Sequence, residues 1–146
     1  MKKPDVLYHG GPRPLEGAYL MPSQPRDTND DPNNLHYGIY ATPVRLVAVA
    51  APIVMGPGVK DGCLSMSEEP PHAIIYDGLP LIEKLFLYTL PSDSFFPTQN
   101  EMQWVSSAPV KPLDVEELKL KDHQNIIWKC TPAEFDKWLE DQGYRK

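Results

Sequence analysis

The sequence predicts one α+β domain made of short strands with few helices. The chain has 146 residues, a length typical of a single domain that buries its core without disulfides. Its 17 prolines are spread along the whole chain, and proline interrupts helices and central strands. Apolar runs of strand length alternate with turn residues, without an internal repeat or linker. We therefore expect residues 1–146 to form one domain.

The first quarter of the chain predicts two strands followed by a long loop. Val6–Tyr8 is a branched and aromatic run that ends at Gly10-Gly11. Ala18–Met21 is a second apolar run, bounded by a glycine and a proline. Residues 23–36 are polar and rich in proline and asparagine, a composition that predicts a loop.

A buried helix is predicted next. Thr42-Pro43 is typical of a helix start, with threonine at the N-cap and proline at the first helical position. Val44–Ala51 is nearly all apolar, and a helix that is apolar on most faces is buried. Pro52 is expected to end or kink this helix.

The second half predicts mainly strands. Leu113–Leu120 is compatible with either a strand or a short helix, because its residue propensities do not decide. The other predicted strands are Ala73–Tyr76, Leu85–Leu90, Glu101–Ser106 and Asn125–Cys130.

A terminal helix is predicted from Thr131 to about Asp141. Thr131 and Glu134 have the spacing of a capping box, with a proline at the first helical position. Phe135, Trp138 and Leu139 recur at helical spacing, which indicates a stripe that packs on the core.

Charge and cysteine content restrict the classes of function. The formal net charge of −6 disfavours general attraction to nucleic-acid phosphates. Two cysteines are too few for a disulfide framework, and neither they nor the four histidines have zinc-ligand spacing, so no metal is expected. Met1-Lys2-Lys3 precedes no long apolar run, so we expect a cytoplasmic protein without membrane association. A toxin secreted without a leader would look the same.

Three short stretches carry the functional prediction. They are Leu7-Tyr8-His9-Gly10-Gly11, Gly38-Ile39-Tyr40-Ala41-Thr42 and Gln99-Asn100-Glu101. Each one alone is more typical of a structural role. Together and in this order, they resemble the His-Tyr-Glu signature of the ADP-ribosyltransferases, in the branch of diphtheria toxin and the poly(ADP-ribose) polymerases. The resemblance covers roughly the first two thirds of the chain, and Asn100–Val105 is similar to the family's glutamate strand.

These residue types suit cleavage of NAD. A rigidly held carboxylate such as Glu101 can stabilise the oxocarbenium character that develops as nicotinamide leaves. Tyr40 can stack on the nicotinamide ring, and the backbone of Gly10 can pair with the carboxamide because no side chain blocks its approach. His9 can hydrogen-bond a ribose hydroxyl through a ring nitrogen. The resemblance implies these same four roles, with His9 on the adenosine-side ribose.

The resemblance implies a split β-sandwich of two small antiparallel sheets with a few flanking helices, and NAD in the cleft between the sheets. The activity it implies is mono-ADP-ribosyl transfer from NAD to a protein, a nucleic acid or a small molecule. A partner of the inhibitor or antitoxin type is compatible with such an enzyme. The alternatives are an NAD glycohydrolase, an RNA 2'-phosphotransferase, a non-catalytic nucleotide- or protein-binding domain, and an unrelated α+β domain that matches by chance.

The chain departs from the family pattern in the helix after the tyrosine. Many members carry a second stacking tyrosine there, whereas Val44–Ala51 contains no aromatic residue. Stacking on the nicotinamide is then one-sided, unless a second ring comes from Phe95, Phe96 or Tyr37. Three further residues are candidates for contacts at this site: Gln99 for the acceptor, and Arg13 and Arg45 for the pyrophosphate.

Overall fold

Short strands and two helices make up the residues that the computed structural model describes, which are 3–22, 38–65, 70–98 and 102–141. The strands are β1 (Val6–Gly11), β2 (Ile39–Ala41), β3 (Val59–Ser65), β4 (His72–Gly78), β5 (Lys84–Pro91), β6 (Phe96–Pro97), β7 (Trp104–Ser106), β8 (Asp114–Lys119) and β9 (Ile127–Lys129). The helices are α1 (Arg45–Met55) and α2 (Pro132–Asp141), and a 3₁₀ helix spans Leu120–Ile126. The predicted α+β class is confirmed at this level.

The described strands form three small sheets. The central sheet has the order β1-β5-β8, the small sheet β2-β7-β6 and the outer sheet β3-β4-β9. The central and small sheets are antiparallel, whereas β4 and β9 pair in parallel. The prediction of two antiparallel sheets was therefore incomplete. It did not include strand β3. It also did not include the parallel pair, which forms because the 3₁₀ helix leads into β9 with β9 running in the same direction as β4.

The central sheet is buried on both faces, and the alternation of β5 shows it. Leu85 and Leu87 point toward α1 and belong to a core that also contains Ile53. Tyr88 and Leu90 point to the opposite face, in a second core shared with the small sheet. A strand buried on both faces reads as a continuous apolar run, which is why Leu85–Leu90 was recognisable in the sequence.

Helix α1 starts later than predicted. Its N-cap is Val44, and the Thr42 hydroxyl accepts the Val44 N–H at 3.1 Å without capping the helix. Thr42 is extended because its backbone is paired with Tyr8 of β1. The helix continues through Pro52 to Met55. Because position 52 has no N–H, the Ala48 carbonyl lacks its i+4 donor, and it faces Gly10 of β1.

Helix α2 begins as predicted. The Glu134 N–H donates to the Thr131 hydroxyl at 3.1 Å, and the Thr131 N–H donates to the Glu134 carboxylate at 2.9 Å. This reciprocal pair confirms the capping box. The Phe135, Trp138 and Leu139 stripe packs against Ile74 of β4, which confirms its role in the core.

The remaining local predictions have mixed outcomes. The segment 113–120 contains strand β8, and Cys130 is buried with the pKa of its thiol raised by desolvation. The strand predicted at Ala18–Met21 is wrong: the backbone makes a single bridge, between Leu20 and Val110. The loop predicted at 23–36 lies outside the described residues. Neither helix of the described segments is long and apolar enough to span a membrane.

Candidate functional site

The candidate site lies where β1 and β2 separate into different sheets. The two strands meet at one pair, in which the Tyr8 N–H donates to the Thr42 carbonyl at 2.8 Å and the Thr42 N–H donates back at 2.9 Å. Beyond this bridge, β1 stays with β5 in the central sheet, while β2 pairs with β7 in the small sheet. The bridge therefore marks the apex of a split between the two sheets.

Strand alternation sets which backbone groups face the split. Tyr8 points both of its backbone polar groups toward β2, so Gly10, two residues further on, points its N–H and C=O toward the same edge. On the other strand, Tyr40 precedes Thr42 by two residues, so its backbone N–H and C=O are directed toward β1. By this alternation, the N–H and C=O of Gly10 are turned toward the β2 side of the split.

His9 links the two sides of the split. Its ring Nδ1 lies 2.6 Å from the Tyr40 carbonyl oxygen. A carbonyl can only accept, so Nδ1 carries the hydrogen, and the neutral ring presents Nε2 as an acceptor. Desolvation lowers the pKa of His9 below its usual value of 6.5, and the bond to Tyr40 opposes this shift. His9 is therefore a neutral acceptor at pH 7.

The lowered pKa of His9 predicts a pH-dependent stability. Below about pH 6.5 the unfolded chain takes up a proton at this position while the folded chain stays neutral until its lower pKa is reached. In that window the free energy of unfolding falls by up to about 1.4 kcal/mol per pH unit from this residue. Urea unfolding between pH 7.5 and 5 measures the slope. His9→Gln should flatten it, and equal slopes in wild type and His9→Gln would contradict the assignment.

Tyr88 is a site neighbour that sequence reasoning missed. It lies directly opposite His9 in the central sheet, with ring centroids 6.2 Å apart. Its hydroxyl donates to the Arg13 carbonyl at 3.2 Å, which holds the chain after β1 beside the His9 ring. The Arg13 side chain is exposed on that segment. Within the sequence, Tyr88 is one aromatic residue in a buried strand, and nothing local distinguishes it.

Arg45, the second candidate for a pyrophosphate contact, is paired with an acidic residue of the central sheet. Arg45, the first residue of α1, forms an ion pair with Glu116 of β8, and both side chains are about half exposed. Glu116 lies two strands away from Gly10, in the same row across Leu87. A pyrophosphate would have to draw Arg45 away from this partner, whereas the Arg13 carbonyl is bonded to Tyr88, the residue opposite His9.

The candidates for a second stacking ring differ in their exposure. Phe95 is buried in the core with Trp104, so it cannot face a ligand and that prediction was wrong. Phe96 is exposed, and the register places it and Tyr40 on either side of Val105, on one face of the small sheet. Tyr37 lies outside the described residues.

Glu101 and Gln99 also lie outside the described residues, so their predicted roles remain predictions. The described residues on either side of them are joined: the backbone N–H and the hydroxyl of Thr98 both donate to the Gln103 carbonyl, at 3.3 and 2.9 Å. From Gln103 the chain enters β7, which pairs with the Tyr40 strand. The strand after the glutamate motif is thus next to the strand that carries the tyrosine.

Comparison with known proteins does not identify a family. No protein-family model, curated protein or solved structure matches the chain. Among the described residues, no group of three or more histidine, cysteine or acidic side chains could hold a metal ion. A functional interpretation therefore depends on the three motifs and on the geometry of the β1–β2 split.

Proposed function

We propose that this protein is an NAD-dependent mono-ADP-ribosyltransferase that binds NAD where β1 and β2 separate. One observation carries the proposal: His9 is hydrogen-bonded to the Tyr40 carbonyl beside the bridge between β1 and β2. Strand alternation turns the backbone edge of Gly10 toward the same side. The three residues come from two motifs that are some thirty positions apart in the sequence. The central sheet and the small sheet, which lie on either side of the split, are compatible with a split β-sandwich.

In this proposal the chain orients the dinucleotide by hydrogen bonds and stacking. Nε2 of His9 accepts a hydrogen bond from a hydroxyl of the adenosine-side ribose. Gly10 donates its N–H to the carboxamide oxygen and accepts from the carboxamide nitrogen. Tyr40 stacks on the nicotinamide ring, a contact that contributes about 0.5–1.5 kcal/mol beyond burial. Arg13, exposed beside His9, can reach the pyrophosphate, whereas Arg45 does so only by leaving Glu116.

Glu101 supplies the electrostatic part of the reaction. Its carboxylate accepts a hydrogen bond from the nicotinamide-side ribose and stabilises the positive charge that develops at the anomeric carbon. Nicotinamide leaves with the electron pair of the glycosidic bond. A nucleophilic atom of the acceptor then bonds to the anomeric carbon and releases its proton. Gln99, two residues before Glu101, is the candidate contact for that acceptor, which is a protein, a nucleic acid or a small molecule.

Calorimetry with NAD tests the proposed site. The wild-type protein should bind NAD, and Tyr40→Ala should weaken binding about tenfold, the equivalent of roughly 1.4 kcal/mol. Tyr19→Ala makes the same chemical change at an exposed tyrosine outside the motifs and should bind like the wild type. Absence of NAD binding by the wild-type protein would contradict the proposal. Nicotinamide release without any acceptor would instead indicate the glycohydrolase alternative.

A further inference from the structure

A second candidate site lies in the outer sheet, at the start of the parallel strands β4 and β9. An open pocket of about 340 Å³ is lined there by His72, Asn125, Ile127, Trp128 and Trp138. His72 and Ile127 are the first residues of their strands, and Trp138 comes from α2. The volume lies within the range of small-molecule sites. The NAD proposal makes no use of this pocket.

The aromatic walls of the pocket are held in place by packing. Trp128 and Trp138 have centroids 6.0 Å apart with their planes inclined at 62°. Trp138 is backed by Phe135 at 5.9 Å, and Phe135 stacks on Tyr76 at 4.2 Å. The capping box at Thr131 fixes the start of the helix that carries two of these rings. Both indoles remain partly exposed, so the walls are accessible to a ligand.

The polar groups of the pocket indicate the chemistry of its ligand. The amide of Asn125 offers a donor and an acceptor side by side, and His72 lines the pocket beside it. None of the described lining residues is an acid, a lysine or an arginine. A pocket with flat apolar walls and a few neutral polar groups suits an uncharged planar ring that has hydrogen-bonding atoms on its edge.

We propose that this pocket binds a heteroaromatic ring of the nucleobase class, stacked on one of the two indoles and hydrogen-bonded at its edge by Asn125. Aromatic side chains stack bases in this way irrespective of base identity, and a side-chain amide can pair with an edge that carries a donor beside an acceptor. Helix α2 has four acidic residues and one lysine, which disfavours a phosphate close to the pocket. The ligand is therefore a base or nucleoside, and this inference does not depend on the proposed function.

Titration of the intact chain with adenosine tests the inference, with the three indole N–H resonances as the readout. The signals of Trp128 and Trp138 should shift saturably, whereas Trp104, buried in β7 of the small sheet beside the Tyr40 strand, should not shift. Ribose alone should produce no shift, and AMP should bind more weakly than adenosine. Absence of a shift with adenosine, or an equal shift with ribose, would overturn the proposal.

Variants separate this pocket from the NAD site. Asn125→Ala removes an exposed side chain and should weaken adenosine binding about tenfold without loss of folding. Trp128→Ala should weaken it further. A shift of the Trp104 signal without a shift of Trp128 and Trp138 would assign adenosine binding to the NAD site and contradict the proposal. Tighter binding of AMP or of a short oligoadenylate than of adenosine would contradict the exclusion of phosphate.

Discussion

Glu101→Gln is expected to lower the rate of nicotinamide release at least about a hundredfold while NAD affinity changes by less than about threefold. The substitution keeps the size of the side chain and its capacity to accept a hydrogen bond, but removes the negative charge. That charge matters most when the anomeric carbon becomes positive, so its loss affects the transition state more than the bound substrate. Removing one electrostatic stabiliser from an active site typically costs a factor of about 10²–10³ in rate.

The measurement is nicotinamide release from NAD by purified wild type and variant, with cell extract supplied as a source of acceptor. Glu83→Gln is the matched control, because it makes the same change at an exposed carboxylate. Calorimetry on Glu101→Gln shows that the substrate still binds. Glu83→Gln should release nicotinamide at the wild-type rate. If Glu101→Gln also does so, the predicted catalytic role of Glu101 is wrong.

Gly10→Ala is expected to destabilise the fold by more than about 3 kcal/mol. A Cβ at this position would lie 1.9 Å from the Ala48 carbonyl oxygen and 2.9 Å from Cδ of Pro52. Overpacking by side chains alone costs about 1–3 kcal/mol. Here the obstacle is helix backbone, and α1 cannot retreat without moving the core that contains Ile53. The loss should therefore exceed that range.

The adjacent glycine provides the control. A Cβ on Gly11 would meet nothing closer than the Tyr88 ring at 3.8 Å, an ordinary van der Waals distance. Gly11→Ala should therefore change the free energy of unfolding by less than about 1 kcal/mol. Urea unfolding of both variants measures these free energies. A Gly10→Ala protein as stable as the wild type would show that α1 does not pack closely against β1 at this position. Because of this clash, lost NAD binding in Gly10→Ala does not by itself report a lost carboxamide contact.

Features set by neighbouring residues were predictable from the sequence. The capping box at Thr131 and the stripe on α2 depend on spacings of three or four positions, and both are present. The apolar run at β5 was recognisable because a strand buried on both faces has no polar alternation. The three motifs could likewise be noted in order; His9 and Tyr40 are in contact, and the site that the motifs predict stays a prediction. Each of these signals is contained in a few consecutive residues.

Contacts between distant residues account for what could not be predicted. Thr42 has the local character of an N-cap, but its backbone is paired with Tyr8, thirty-four positions earlier, so α1 starts after it. Pro52 lies inside α1, and the Ala48 carbonyl that it leaves without an i+4 donor faces Gly10, thirty-eight positions earlier. The proton on Nδ1 of His9 is set by a carbonyl 31 residues away. Such choices depend on which strands pair, and pairing is a property of the whole chain, since each register must satisfy the buried cores on both sides of the central sheet.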